Sequence, residues 1–557
     1  MKTSTTLMAG LALASAAFGQ GFKTSEPAYV TQQAGANFTF EPIVTVGDRV
    51  QLTGDVTKDY AFVGIPDAMG LYKDKLTNEN ILFVAHEIPS NLNTEPLPGQ
   101  TRYKGAFVSR YVVGANGGLL HGAPAHARLF LENTQVSTTP PKEGDARGFT
   151  RFCSGAFCGR ESGLDRPFFF TNEESGSGNY DGDVKGSQSV AITDGNMYTL
   201  PDLGRVARET TVVQPRRDSL TVVISTEDNG SPSYVYMYVG RKQMRSTSPL
   251  DRNGLTNGKV YVLAGRDAQH NEGTFTTGSL PTRWKEIPNA ANLSATQLLA
   301  AADAAGAFGF VRVEDTEFDP VKPTRSLFLA TTGGSGPNRL GRLYELTMNA
   351  TNPIANGTLN VVYNADTVVS PGGTYNGTVG KLNAANGITG SLGSYSYSDA
   401  QLNGGVDYPV SIDNIAVSKD FIVICEDTNS PANAVYAKYG RNSGLWTLNR
   451  NAGNQAKLQS TFNYAAVEAR DGHSPITSRG LWETSGVIRA EEIFGPGTFV
   501  VNVQGHRTNV TLNTPGDQAT SIRSNIPKPA GGTYTRQEAV AAFAEDGQVL
   551  IMRPVAN

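Results

Sequence analysis

The sequence predicts an all-β protein, a β-propeller with few short helices and six as the favoured number of blades. Two observations carry that expectation. Short β-branched and aromatic runs, each bounded by Gly, Asn, Asp or Pro, recur from end to end. One strand–turn–strand pattern also returns along the chain, and its first strand ends in acidic residues each time. Composition agrees: 61 Gly, 29 Pro and 9% aromatic residues, with 18% charged, suit many short strands joined by turns.

In chain order, the first element is a leader. Lys2 supplies a positive start, residues 7–14 an apolar run, and Ala17-Phe18-Gly19 a small-x-small cleavage site. The run is too short to span a bilayer, so residues 1–19 are expected to be a cleavable signal peptide. Residues 20–557 would then form one propeller domain with loop insertions, secreted or periplasmic and not inserted in a membrane. Strands are expected at 81–85, 167–170, 189–192, 220–224, 234–239, 259–263, 326–330, 421–424 and 498–503. Asp194-Gly195, Asn257-Gly258, Asn356-Gly357, Asn376-Gly377 and Asp546-Gly547 mark turns. The one convincing helix is 295–305, with Ser294 as N-cap and Gly306 to end it.

The repeat decides the architecture. VISTEDNGSPSYVYMYVGRK (223–242) lies beside VICEDTNSPANAVYAKYGRN (423–442), and the same plan is looser at 168–183 and 81–93. A two-sheet sandwich would explain the strands but not the recurring acidic ends. A propeller explains both, because equivalent strand ends converge on its axis.

Charge and cysteine usage narrow the chemistry. Forty-seven basic against 51 acidic residues give −4, which argues against nucleic acid or an anionic membrane as partner. Cys153 and Cys158 are spaced to close a small disulfide loop, leaving Cys425 alone, and no CxxC zinc or redox spacing occurs. The six histidines (86, 121, 126, 270, 473, 506) are scattered, so a metal would rely mainly on oxygen donors. His86 and His506 read equally as core histidines or ligands, and Trp482 to Gly486 reads as blade packing and a turn. Seven Asn-x-Ser/Thr sequons, at 37, 229, 292, 349, 356, 376 and 509, matter only in a glycosylating host.

Acids end four strands, at Glu87, Glu173-Glu174, Glu227-Asp228 and Glu426-Asp427. Glu314, Asp315, Glu317 and Asp319 form a fifth group, and Asp413-Asn414 precedes the strand leading to Cys425. One such group is ordinarily a solvated loop. Groups sharing one structural position crowd a channel, repel one another and call for cations, and calcium takes six to eight oxygens of this kind. Arg312 precedes Glu314 by two residues, so an extended strand points both to one face. A guanidinium there suits phosphate or, equally, a salt bridge within the strand.

Here a resemblance enters. RVEDTEFDP (312–320) resembles the Arg-Pro-Glu-Asp motif of the PhoX-type alkaline phosphatases, with Val313 in place of proline. FFFTNEE (168–174) is similar to that family's Thr-Cys-Glu-Glu strand end, and LFVAHEI (82–88) to its Asn-His-Glu segment. LGRVARET (203–210) matches a Gly-Arg-x-x-His-Glu stretch at Gly204, Arg205 and Glu209. VISTEDNG (223–230), DNIAVSKDFIVICED (413–427) and FVVNVQGH (499–506) resemble later segments in the same order.

The resemblance implies a six-bladed propeller that encloses ferric and calcium ions around a bridging oxide and hydrolyses phosphomonoesters. Carried over by position, Glu173, Glu209 and Glu314 would be metal ligands, and Glu87, Glu227, Asp228 and Asp413 further calcium ligands. Arg312 would hold the phosphate of a small phosphorylated substrate, and the chain is expected to be a monomer. Two positions depart from the family. Asn172 stands where an iron-ligating cysteine is expected and Arg208 where a histidine is, so calcium is favoured and iron left open. A calcium-binding propeller without turnover, or a calcium-dependent lactonase or phosphotriesterase, are the competing readings.

Overall fold

Unbroken β-branched and aromatic runs form strands buried on both faces: Phe168–Glu173 and Ser326–Thr331 are buried at every residue. The computed structural model describes residues 21–175, 185–334, 336–369, 408–428, 442–471, 482–506, 522–523 and 526–555, with 432, 435 and 436 between. The expected leader, the Asn376-Gly377 turn and its sequon, His473, the sequon at Asn509 and most of 429–441 lie outside the described residues.

The strands assemble into sheets of five, six, six, nine and four strands, with one two-stranded ribbon. Six antiparallel strand pairs organise them, and only these strands are labelled. They are β1 (Pro66–Lys73) with β2 (Asn80–His86), β3 (Phe152–Cys158) with β4 (Phe168–Glu173), and β5 (Arg208–Val213) with β6 (Leu220–Glu227). They continue as β7 (Val313–Phe318) with β8 (Ser326–Thr331), β9 (Ile412–Val417) with β10 (Phe421–Glu426), and β11 (Glu483–Arg489) with β12 (Phe499–Gly505). The odd-numbered strands pack side by side in a closed circuit: β1 on β3, β3 on β5, β5 on β7, β7 on β9, β9 on β11, and β11 back on β1. The nine-stranded sheet holds two of the pairs, joined where Ser279–Ile287 pairs with Gly357–Asn364. The fold is therefore all-β and propeller- or barrel-like.

The two ends of the chain complete the same sheets. Phe38–Thr45 pairs antiparallel with Asp546–Pro554 in the sheet of β11 and β12, and Val30–Gln32 pairs with Gln455–Phe462 in that of β9 and β10. Between sheets, aromatic rings fill the gaps: Phe83 of β2 stacks on Phe169 of β4 at 5.1 Å, and Tyr72 of β1 on Phe157 of β3 at 4.3 Å. Among the described residues helices are few and short. The longest, α1 (Ala295–Ala304), is the expected one, with a capping box between Ser294 and Gln297. Among the described residues no helix is long and apolar enough to cross a membrane.

One expectation is corrected. Cys153 and Cys158 are both free and stand at opposite ends of β3, five residues apart on an extended strand, roughly 16 Å by strand rise. A disulfide needs its Cα atoms within about 7 Å. Asp413 and Asn414 precede β10, the strand that carries Cys425, as expected, and lie within β9.

Candidate metal centre

Each odd-numbered strand bulges near its start. Two residues stand opposite one between Pro66 and Met69, Phe152 and Gly155, Arg208 and Thr211, Val313 and Thr316, Ile412 and Ile415, and Thr484 and Val487. A bulge bends a strand and re-aims its side chains. The residue entering each bulge is Asp67, Cys153, Glu209, Glu314, Asp413 or Ser485, so five of six are metal-ligating types. The even strands exit beside them through Glu87, Glu174, Asp228, Thr332, Asp427 and Gln504. A third position precedes each bulge by two residues: Ile65, Arg151, Ala207, Arg312, Ser411 and Glu483.

That third position is conformationally special. Ile65, Arg151, Arg312 and Ser411 take φ of 51°, 48°, 52° and 51°, left-handed values that cost a side-chain-bearing residue about 1–2 kcal/mol. The turned backbone presents each carbonyl to the exiting strand. Glu87 N, Glu174 N, Thr332 N and Asp427 N donate to the carbonyls of Ile65, Arg151, Arg312 and Ser411 at 2.9, 3.0, 3.2 and 3.0 Å.

The converging side chains line a cavity of about 340 Å³. Three sets of ligand atoms there lie within 4.8 Å of one another: Asp67, Glu87 and Cys153; Cys153, Glu174 and Glu209; and Glu209, Glu314 and Asp413. Cys153 and Glu209 are each shared by two sets. Cys153 Sγ donates to Asp67 Oδ2 at 3.1 Å. Arg312 is held by Asp228, Glu314 and Asp427 at 3.2, 3.1 and 3.2 Å, one carboxylate to each guanidinium nitrogen. Arg151 bridges Glu87 at 2.9 Å and Glu174 at 2.6 Å. His506 places Nδ1 2.6 Å from Glu545 and Nε2 3.3 Å from Glu483, also on the wall.

The electrostatics follow from burial and crowding. Burial, then Glu87, pushes Asp67 up to about 7; burial, then Asp228, pushes Glu314 up to about 8. Glu174, Glu209 and Asp413 rise well above the carboxylate range, again by burial first. Burial and Asp67 likewise push the Cys153 thiol up. Burial works against the charge of Arg312, but Glu314, Asp228 and Asp427 overcome it and raise its pKa. Two carboxylates bracketing His506 outweigh its burial, so its pKa rises and both ring nitrogens can donate.

Cations fit this donor set. Glu209 Oε1 is buried without a hydrogen-bond partner and faces Cys153, Glu174, Glu314 and Asp413, all of metal-ligating type. Burial favours the protonated forms of Asp67, Cys153, Glu174, Glu209, Glu314 and Asp413, and cations would take the place of those protons.

Of the residues expected from sequence, Glu87, Glu209, Asp228, Arg312, Glu314 and Asp413 line the cavity. Glu173 and Glu227 do not. Glu173 accepts from Thr150 N and Gln188 N, both at 3.1 Å, and Glu227 accepts from Tyr234 N and the Tyr236 hydroxyl, both at 3.3 Å. They are buried braces for the loops that carry the site. Glu426 braces Val410 N and Gly444 N in the same way, and Glu272 reaches Val311 N where β8 ends in the shorter Thr331.

Asn172 is not a ligand substitute either. Its amide donates to Glu209 O at 2.7 Å and accepts from the Thr211 hydroxyl at 2.8 Å, while the thiol in the cavity is Cys153. Arg208 is wholly buried against Ser225 and the carbonyls of Leu203 and Gly204, so a histidine replaced there costs the cavity no donor. Sequence reasoning assigned no ligand role to Glu174, Asp427 or Glu483, read Cys153 as a disulfide partner and His506 equally as core or ligand, and missed Asp67 and Arg151 altogether. For Glu174 and Asp427 the signal was present in the acidic doublets.

A family profile described as Alkaline phosphatase PhoX matches residues 196–468. Among solved structures, PhoX of Pseudomonas fluorescens in complex with vanadate, a transition state analogue, aligns with a TM-score of 0.56 at 13% identity, covering 96% of this chain and 98% of that one. A glycosyl hydrolase from Bacteroides ovatus aligns with a TM-score of 0.32 at 10% identity, over 78% of this chain and 97% of its own. No curated protein matches the chain. The chain thus has a PhoX-like fold.

Proposed function

We propose that this protein is a metal-dependent phosphomonoesterase of the PhoX kind, a six-bladed propeller at residues 20–557 exported by the leader at 1–19 and acting as a monomer. The blade count is supported by the circuit of six odd-numbered strands, each with the same bulge. One observation carries the function: a fully carboxylate-braced arginine, Arg312, stands beside two acid sets that share Glu209.

In this reading Cys153, Glu174 and Glu209 hold one cation and Glu209, Glu314 and Asp413 a second, with Asp67 and Glu87 completing a third site through Cys153. A thiolate in a carboxylate set suits iron, and all-oxygen sets suit calcium. Bound cations would neutralise phosphate charge and make a coordinated water acidic enough to attack near neutral pH. Arg312 grips the phosphoryl oxygens, and Asp228 and Asp427 fix its plane so that little orientation is lost on binding. His506 positions Glu483 on the same wall. A phosphorylated small molecule is the substrate class, and vanadate in the solved PhoX occupies a fold of this kind.

The test is phosphate release from an aryl phosphate by the purified, metal-analysed chain. Chelation should abolish it, and Arg312→Ala should lower kcat/KM by about 10²–10³, as expected for removing a preorganised charged donor. Absence of turnover across aryl and alkyl phosphates in a chain carrying its full complement of iron and calcium would refute the proposal.

A further inference from the structure

Arg151 is the counterpart of Arg312 two strand pairs away. Both precede a bulge by two residues, on β3 and β7, and both hold left-handed backbones, at φ 48° and 52°. Both accept the exiting strand at their carbonyls and are clasped by acids of the neighbouring strand ends. The single strand between them, β5, contributes Glu209, the residue common to the two acid sets. Arg151 thus flanks the Cys153–Glu174–Glu209 set as Arg312 flanks the Glu209–Glu314–Asp413 set.

Two features separate Arg151 from a structural salt bridge. Its side chain is 45% exposed on the cavity wall, against 28% for Arg312, whereas the bracing arginines Arg208 and Arg342 are buried. Its Nε and Nη2 are taken by Glu87 and Glu174, which fixes the guanidinium plane, while Nη1 has no partner among the described residues.

We propose that Arg151 is a second phosphoryl-binding residue, so that the site prefers small molecules carrying two phosphoryl groups. This rests on the phosphatase reading of the cavity. One phosphoryl group lies on Arg312 at the reacting end, and the second is gripped by Arg151 beyond Glu209. The two acid sets, once neutralised by cations, form the floor between them. Arg151 is here a specificity residue; the reaction at the first phosphoryl group is unchanged.

The experiment uses ligands that cannot be hydrolysed. Propylphosphonate and propane-1,3-bisphosphonate are titrated calorimetrically into the metal-loaded full chain and into Arg151→Gln and Arg151→Lys, with metal content and unfolding midpoint measured for each. The wild-type chain should bind the bisphosphonate at least about tenfold more tightly, as one added charge-assisted contact allows. Arg151→Gln should bring that ratio to about one while leaving propylphosphonate affinity within about twofold, and Arg151→Lys should recover part of it. Equal weakening of both ligands, loss of metal in Arg151→Gln, or a ratio untouched by it overturns the proposal. Binding with the expected ratio but no turnover of any ester would sink the phosphatase reading and leave this one standing. Turnover without a bisphosphonate preference would do the reverse, and no binding of either ligand would sink both.

Discussion

Cys153 and Cys158 sit on one strand and meet opposite surroundings. Cys153 lies 3.1 Å from Asp67 Oδ2 and within 4.8 Å of donors from Glu174 and Glu209, whereas Cys158 is packed with Phe168, Phe170, Leu164 and Leu200. Burial raises both thiols, Cys158 to about 12, so a thiolate at Cys153 needs a cation beside it. Cys153→Ser should therefore lose most bound iron in elemental analysis, along with any thiolate-to-metal absorption. Cys158→Ser should keep its metal and cost about 1–3 kcal/mol in urea unfolding through a buried hydroxyl. Wild-type iron and calcium in Cys153→Ser would exclude the thiol as a ligand. The same alternation explains what the sequence could show of this site. Each acidic doublet was visible, but successive residues of a strand point to opposite sides, so one acid enters the cavity and the other braces a loop. For Glu173-Glu174 the inward member is the second, as it is for Glu227-Asp228 and Glu426-Asp427. Which one turns inward depends on the bulge opposite, and a single run of residues does not reveal it.

At the level of elements, the apolar even strands were legible and most of the odd ones were not. IVICE-like runs carry three or four buried aliphatics in a row, but β3 reads FCSGAFC, β5 RETTVV and β9 IDNIAV. Each has at least two polar or ligating residues among its first three, and the bulge then shifts its alternation by one residue, which erases the period-two signal. The strands that carry the chemistry are thus the ones the pattern conceals. Gly155 shows how tight that geometry is. It stands where β3 leaves its bulge, and a Cβ there would lie 2.3 Å from the backbone carbonyl oxygen of Phe170 on β4. Backbone cannot swing aside as a side chain end would, so β3 must move, and with it Cys153 and Arg151. Gly155→Ala is expected to lower the urea-unfolding stability by about 1–3 kcal/mol and to weaken calcium affinity in the same preparation. An unchanged midpoint with unchanged affinity would mean the bulge has slack that its packing does not suggest.

Across the whole molecule, the closed circuit of odd strands does something no single strand end could: it brings acids from residue 87 to residue 483 into one cavity. The repeated acidic hairpins made convergence legible in sequence; the termini strands that complete the sheets, Phe38–Thr45 and Asp546–Pro554, gave no separate sign of their pairing. Convergence sets a pH dependence that a bound metal removes. Without cations, burial and then Glu87 hold Asp67 at about 7, and burial and then Asp228 hold Glu314 at about 8, above ordinary values of 3.8 and 4.5. A carboxyl whose folded pKa is raised binds more protons folded than unfolded. Its protonated form is tolerated below about pH 4, and stability is lost as pH rises through the folded pKa, levelling off above about pH 8. Either carboxyl alone would cost about 4 kcal/mol over that window; because they sense their neighbours, the protons leave as a set and the costs do not add. Cations take the place of those protons, so the metal-loaded protein should show no such slope. Thermal unfolding of the chelated chain should accordingly fall from pH 5 to pH 8 by about 3–4 °C, while the calcium- and iron-loaded chain stays level across the same range. A chelated protein as stable at pH 8 as at pH 5 would mean that the cavity acids are neutralised by the protein's own arginines, Arg151 and Arg312, and that cations are not what holds the six strand ends together.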